Sequence, residues 1–494
     1  MSSPGSRTPG TGACAARGAA DAKGSSGSPV QWTEEYRRAA LTLTRGLTAV
    51  EYFTFGFGTM VGVGWVVLMD DWLGRGGPGG AFLGFLFGGM LLWPIARTYG
   101  RMVAEIPDAG AEIAYTEGVF APPASFAAAW TMVLAYAIVC PWEAVAIGNL
   151  LARVFPAMNA APLYAVAGKT ITAPRLFAGL LLTGLVAGVN LVGIRLSGLF
   201  QNALTFGLLA LFGVFTAAGL LRGSTANLPP LFARPGAGGA LLSILLVLQV
   251  VPYFMTGFES VGKGSEEARP GFDRRGFGRA ILAAASAGTT FYCLIVAAVA
   301  LVFPWRELVA QKLGTEAAFA RAFSSRDVAN LILVAAVLSL VKIFNGNFVA
   351  STRMLYGIGK RGLVHAALAR TARGTGAPAF AIGLMAALTA ATTFLGDALL
   401  VPVTEVGSLA VGVGWLATCA AFLARHRGSG AAGRGAALAG AAVAAAIVAM
   451  KALPFVPGSF SGAEWIAFAL WSALGFFFWM LRPRETSSRP EVSC

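Results

Sequence analysis

Apolar runs of about 20 residues recur along the chain, separated by shorter polar connections. They fall at approximately 48–69, 80–98, 124–150, 176–194, 198–221, 240–262, 278–303, 328–356, 378–396, 400–424, 434–453 and 463–481. About 20 apolar residues in a helix match the hydrocarbon thickness of a bilayer, so the pattern predicts an all-α polytopic protein with twelve membrane-spanning helices. Residues ahead of the first run are rich in Gly, Ser, Ala and Pro with no apolar core. That composition predicts a disordered tail over 1–45, neither a signal peptide nor a fold. The expected organisation continues with a core of ten spans over 46–425, two peripheral helices over 426–482 and a second tail over 483–494.

Two of the runs are interrupted. The first contains GFGTMVGVGW, which places Gly56, Gly58, Gly62 and Gly64 within nine residues of a span. Each glycine costs roughly 1 kcal/mol of helix stability relative to Ala. A backbone group left unpaired in lipid costs more. Two readings fit: a helix that breaks so that its freed N–H and C=O groups face a ligand, or close packing through Gly58-x-x-x-Gly62. The sixth run contains Val251-Pro-Tyr-Phe-Met-Thr-Gly-Phe-Glu259, with Pro252 and Gly257 at mid-span. Pro252 removes a backbone donor and frees a carbonyl. Interruptions in the first and sixth spans occupy corresponding positions in two groups of five. That is the sequence pointer to an inverted-repeat transporter with its site near the bilayer midplane.

Composition agrees with a membrane setting. The 494 residues are 56% hydrophobic and 12% charged, with a mean hydropathy of +0.69, against about 25% charged in soluble proteins. The net charge of +14 is explained by topology rather than by a nucleic-acid partner. With the N-terminus inside, 25 of the 37 Lys and Arg residues fall in the cytoplasmic connections, at the span ends beside them, or in the two tails. That asymmetry predicts that both termini are cytoplasmic and that the protein sits in a plasma (inner) membrane. Five scattered cysteines without a CxxC, and two histidines at or beyond helix ends, suggest no disulfide framework, metal site or histidine relay. The absence of HExxH, Walker and G-x-S-x-G patterns argues against an enzyme, and no cofactor or metal is expected.

Several stretches resemble the amino acid–polyamine–organocation permeases. Gly58-Thr-Met-Val-Gly62-Val-Gly64 resembles their first-helix pattern G-x-x-x-G-S/A-G, and Pro252 to Glu259 followed by Gly-Ser-Glu-Glu267-Ala-Arg-Pro270 resembles their sixth. Arg101-Met-Val-Ala-Glu-Ile-Pro107-Asp-Ala-Gly110 resembles the loop after the second helix. Asn190-Leu-Val-Gly193 with Gln201-Asn-Ala-Leu-Thr205 resembles the junction of the fourth and fifth. Ser351-Thr-Arg353-Met-Leu-Tyr356 with Lys360-Arg-Gly362-Leu resembles the end of the eighth. These matches run in the family's order over 45–425. The resemblance implies the five-plus-five inverted repeat of the leucine-transporter-like fold, with discontinuous helices 1 and 6. Substrate would sit between a bundle (helices 1, 2, 6, 7) and a scaffold (helices 3, 4, 8, 9).

In such a site a substrate carboxylate meets free N–H groups at the first break, here from Met60, Val61, Gly62, Val63 and Gly64. The substrate ammonium takes carbonyls freed near Pro252 to Met255. Tyr253 and Phe254 match the family's aromatic gate, and Gly257 lies in the second break. Three ionisable residues lie within spans and are functional candidates for that reason: Glu143, Glu259 and Lys342. Glu143 is expected to line the site and favour an amine, or else to pair with a neighbouring hydroxyl or amide. Glu259 is expected to take a structural and gating role. Proton-coupled relatives often carry a lysine on helix 5 where this chain has Leu208. Lys342, on helix 8, is expected to supply that charge from the opposite wall and to lose a proton during the cycle; a permanent pair with Glu143 or Glu259 is the alternative. Asn345 and Asn347 add polar groups nearby. Val63, Trp65 and Met255 are expected to narrow the pocket toward a neutral side chain, whereas a lone Glu143 favours a cation.

The implied activity is secondary active transport of an amino acid by alternating access, with proton-coupled symport the expected mode. Obligate amino acid or amine exchange, or an organic-cation or polyamine permease, is the alternative, and a membrane-embedded enzyme the distant one. The expected partners are a small-molecule substrate, protons and the lipid bilayer.

Overall fold

A computed structural model describes residues 43–482 except 313, 429, 457 and 458. The expected tails over 1–42 and 483–494 lie outside the described residues. Leu43, inside the segment read as tail, is buried against Ala109 and Tyr356.

The chain opens with α1 (Ala49–Met60), started by the Thr48 N–H, which donates to Glu51 Oε2 at 2.8 Å. Next come α2 (Gly64–Val67), α3 (Met69–Glu105), α4 (Glu112–Thr116), α5 (Pro122–Ala137) and α6 (Val139–Val154). A β-hairpin, β1 (Pro162–Val166) and β2 (Lys169–Thr172), precedes α7 (Ala173–Val192) and α8 (Ile194–Arg222). Then follow α9 (Gly236–Leu248), α10 (Val251–Met255), α11 (Arg275–Val302), α12 (Trp305–Ala310), α13 (Thr315–Phe323) and α14 (Arg326–Lys360). The chain closes with α15 (Ala379–Thr393), α16 (Leu400–Arg425), α17 (Ala431–Ala452) and α18 (Gly462–Met480).

Ten helices among the described residues are long and apolar enough to cross a membrane, taking α1 with α2 and α5 with α6 as single spans. The segment from Gly236 to Gly262, bent by 43°, makes up to eleven. The expected ninth span is shorter than its apolar run, because α15 ends at Thr393 and Gly396 turns the chain at φ +55°. Large apolar side chains such as Leu221, Phe177 and Leu470 stand exposed on the outside at 66% or more. An apolar girdle of that kind is stable against lipid and a liability in water. The protein is therefore an integral membrane protein.

The all-α expectation needs one correction, the hairpin. Ala167 and Gly168 both take positive φ, the backbone that a tight two-residue hairpin turn requires. The β-branched Thr170, Ile171 and Thr172 after the Ala167-Gly168 turn were the available signal.

The interior is organised by α14, which packs against α5, α6, α8 and α1, and by α11, which packs against α3, α1 and α8. The two ends of this bundle differ. At the end where α1 begins, buried ion pairs close the structure. Arg353 reaches Glu267, Lys263 Nζ meets Glu112 Oε1 at 2.6 Å, and Arg361 takes Asp108 through two hydrogen bonds at 2.9 and 3.1 Å. At the opposite end a cleft is lined by Asp70, Asp71, Arg75, Arg153 and Glu405, with Trp142 and Phe254 also in its wall. The helices read as peripheral are tied to this core: Lys451 of α17 pairs with Glu405, and Trp130 and Trp471 exchange indole-to-carbonyl hydrogen bonds at 3.0 Å.

Candidate functional site

Helical hydrogen bonding in the first span stops at Met60 and resumes at Gly64. The three intervening residues leave their carbonyls and N–H groups to find other partners. The carbonyls find them. Lys342 Nζ donates to Gly58 O at 3.0 Å and to Val61 O. Asn347 Nδ2 reaches Thr59 O at 3.3 Å and Tyr292 OH reaches Met60 O at 3.4 Å. Ser339 Oγ lies between Val61 O at 3.2 Å and Gly62 O at 2.7 Å. The N–H groups divide differently. Val61 N donates to Phe57 O, and Met60 is the last residue of α1, so these two of the five expected donors are spent. Gly62, Val63 and Gly64 N–H have no backbone acceptor among the described residues, and Gly62 N–H faces the Tyr292 hydroxyl.

The sixth span breaks against this point. Gly257 sits at φ +133°, and a Cβ there would fall 2.6 Å from Met60 N and from the Thr59 carbonyl carbon. Only glycine satisfies both the conformation and the approach, so the two interruptions are in backbone contact. Ser260 Oγ adds a hydrogen bond to Thr59 Oγ1 at 3.2 Å. Close packing operates here too: a Cβ on Gly58 would lie 1.9 Å from Gln201 Nε2, and one on Gly64 2.6 Å from Phe254 Cε1. Close packing therefore accompanies the interruption of the helix.

A small cavity opens beside the break. Of the expected site residues, Met60, Gly62, Val63, Gly64, Glu143, Tyr253 and Phe254 line it, and so does Asn347. Trp142, Val139, Ala135, Thr256, Ile343 and Val411, which sequence reasoning did not single out, complete much of the wall. Trp142 and Phe254 also line the outer cleft, so they form the partition between it and the cavity. Trp142 lies one residue before Glu143 and just after Pro141, and the helix break at Ile138 was signalled by that proline.

Other expected residues lie elsewhere. Val61 and Gly257 contribute backbone behind the cavity wall. Trp65 and Met255 do not line the cavity; Trp65 packs edge-on against Phe291 instead. Glu259 is fully buried and satisfied, Oε1 by Tyr136 OH at 2.9 Å and Oε2 by Gly257 N at 3.1 Å. Asn345 joins three spans through Gln201 at 2.9 Å, Asn190 at 3.0 Å and Ser197 at 3.3 Å, outside the cavity. The Pro252 carbonyl, expected for a substrate ammonium, accepts Thr256 Oγ1 at 2.6 Å. Lys342 is fully buried, with Phe57 beneath its ammonium at 5.4 Å. Among the described residues it makes no ion pair within 4.0 Å with Glu143 or Glu259, although it and Glu143 lie close enough to interact electrostatically. Ser339, one turn before Lys342 on the same helix face, and Tyr292 escaped the sequence reading.

A cavity at facing helix interruptions, apolar but for a few polar groups and inside an apolar bundle, is the arrangement of membrane proteins that carry solutes. The chain belongs to the amino acid permease family, of the amino acid–polyamine–organocation superfamily: the family model matches residues 52–482. It is similar to the amino-acid permease RocE of Bacillus subtilis, 23% identical over 76% of this chain and 79% of the relative. It is also similar to the methylthioribose transporter of the same organism, 23% identical over 90% and 95% of the two chains. The lysine-specific permease LysP of Escherichia coli is 22% identical over 72% and 73%.

Proposed function

We propose that this permease moves an amino acid across a plasma (inner) membrane by alternating access, as a proton-coupled symporter. The observation that carries the reading is the lodging of the Lys342 ammonium on the Gly58 and Val61 carbonyls, beside the N–H groups of Val63 and Gly64. A cation holds the break open from the scaffold side, and the free donors on the cavity side suit a carboxylate. Loss of the Lys342 proton withdraws that charge and releases the break, which links proton movement to the geometry of the site.

In this reading the first ten spans form the five-plus-five repeat, with Gly236–Gly262 as the sixth span, the short α15 as the ninth and both termini cytoplasmic. The cleft at Asp70 and Glu405 then faces outward, and the Arg353–Glu267 end is the closed cytoplasmic side. Tyr253 and Phe254 gate the cavity, Glu259 ties the second break to α5 through Tyr136, and Asn345 braces α14 against α7 and α8.

The test is uptake into proteoliposomes of labelled amino acids and amines, with and without an inward proton gradient, for the wild type and Lys342→Ala. Gradient-stimulated uptake that the variant loses while it still binds substrate is the expected result. Uptake indifferent to the gradient and dependent on internal substrate would make the protein an exchanger and leave Lys342 a structural role.

A further inference from the structure

Glu143 is the cavity's unanswered group. Its side chain is 2% exposed, Oε2 is buried without a partner, and among the described residues no cation lies within 4.0 Å of it. A buried carboxylate without a donor is costly, so it marks a place where a ligand supplies one. The carbonyls of the first break are occupied: Gly58, Thr59, Met60, Val61 and Gly62 accept from Lys342, Asn347, Tyr292 and Ser339. Of those expected at the second break, Pro252 accepts from Thr256, which leaves Tyr253, Phe254 and Met255 beside Glu143 as acceptors for an ammonium group.

Position completes the argument. Glu143 Oε1 lies 3.2 Å from where a Cβ on Gly62 would stand, so the carboxylate abuts the break, beside the Val63 and Gly64 N–H groups. The carboxylate and ammonium of an α-amino acid are separated by a single carbon. One group on the Val63 and Gly64 donors therefore places the other near Glu143. Resting on the reading of this cavity as the substrate site, we infer that Glu143 receives the substrate's α-ammonium and that the substrate is an α-amino acid with an apolar side chain.

The side-chain preference follows from what remains of the lining. Glu143 is its single charged side chain, and Val139, Trp142, Ile343 and Val411 dominate the rest. Once the α-ammonium engages Glu143, the described lining residues leave no carboxylate for a cationic side chain and offer no cation to an acidic one. Trp65 and Met255 are not needed for this preference.

Purified protein is tested for binding, by thermal stabilisation and by competition, of L-leucine, L-alanine, L-lysine, L-glutamate, L-2-hydroxyisocaproate and methylthioribose. The hydroxy acid keeps the carboxylate and side chain of leucine but replaces its ammonium with a hydroxyl. Leucine or alanine is expected to bind most tightly. The hydroxy acid is expected to bind about tenfold or more weakly than leucine, as the loss of a charge-assisted hydrogen bond dictates. Glu143→Gln should bring that ratio close to one. A monodisperse Gln variant with the wild-type melting temperature that retains the wild-type ratio overturns the role of Glu143. Tighter binding of lysine, glutamate or methylthioribose than of either apolar amino acid, or binding of none of the amino acids, overturns the substrate class. Gly64→Ala reports on the cavity itself. If it leaves every affinity unchanged, the cavity is not the substrate site, a failure distinct from that of Glu143.

Discussion

Arg353 holds Glu267 through two hydrogen bonds, Nη2 to Oε1 at 3.0 Å and Nε to Oε2 at 3.2 Å, with both side chains buried. The Glu267 carbonyl also receives Gly46 N at 2.7 Å and Leu47 N at 2.9 Å. One residue after the second break thus fastens α14 and the segment leading into α1. Removing one partner of a buried pair costs roughly 3–5 kcal/mol. Glu267→Gln should loosen this end of the bundle. With Ser265→Cys as a reporter, buried in the intact protein, the Gln substitution should raise thiol-reagent labelling at least tenfold. Unchanged labelling would show that the pair does not hold this end closed.

Ser339 and Lys342 share the work of satisfying the first break. Ser339→Ala leaves the Gly62 carbonyl without its 2.7 Å donor, an orphaned acceptor worth about 1–3 kcal/mol. A lowered melting temperature with weaker substrate binding is the expected outcome, and Ser339→Thr, which keeps the hydroxyl, should recover most of it. Equal losses in the two variants would point to side-chain volume instead.

Gly257 and Gly188 should respond oppositely to alanine. At Gly257 the φ of +133° and the 2.6 Å approach to Met60 N both forbid a Cβ, so Gly257→Ala should destabilise by at least about 1–3 kcal/mol. At Gly188, within α7, a Cβ meets nothing within 4 Å, and alanine should stabilise the helix by about 0.5–1 kcal/mol. Melting temperatures of the two variants against the wild type check both signs.

Acid should weaken the closed end through Asp108. Burial favours its neutral form, but the hydrogen bonds and charge of Arg361, with Lys360 nearby, outweigh burial and hold its carboxyl below the usual range. A folded-state value below the unfolded one means stability present above about pH 3.9 and lost as pH falls through the folded value. The melting-temperature difference between wild type and Asp108→Asn should stay constant from neutral pH down to about 5 and shrink below about 4. A difference that grows on acidification would reverse the sign.

The outer helices should matter for stability more than for transport. Trp130 and Trp471 stack with ring centroids 5.0 Å apart and exchange hydrogen bonds, and neither lines the cavity. Trp471→Ala should lower the melting temperature by an amount equivalent to about 1–3 kcal/mol while leaving substrate affinity within twofold. A larger change in affinity would give α18 a part in the site.

Much of the site was legible because it depends on local composition. Glycines crowded at 56–64 and a proline at 252 announce interruptions wherever they fall in an apolar helix, and Lys342 stands out because lysine is rare there. The partners of these features were not legible. Ser339, Tyr292 and Trp142 are ordinary residues in ordinary spans, and their importance comes from lying across from a break more than 200 residues distant in the case of Ser339 and Tyr292. The expectations for Trp65 and Met255 failed for the same reason: proximity in sequence to a break says nothing about which way a side chain turns.

The sequence by itself determined that the chain enters a membrane, the order of its apolar segments, where two of them break and the family to which it belongs. Only the tertiary structure decided that Glu143 abuts Gly62, that Lys342 meets the Gly58 and Val61 carbonyls rather than a carboxylate, and that one end of the bundle is closed. The reason is physical. In a soluble helix the contrast between apolar and polar faces announces how it is rotated. A membrane span is apolar toward lipid and toward its neighbours alike, so its rotation is set by packing between segments far apart in the chain.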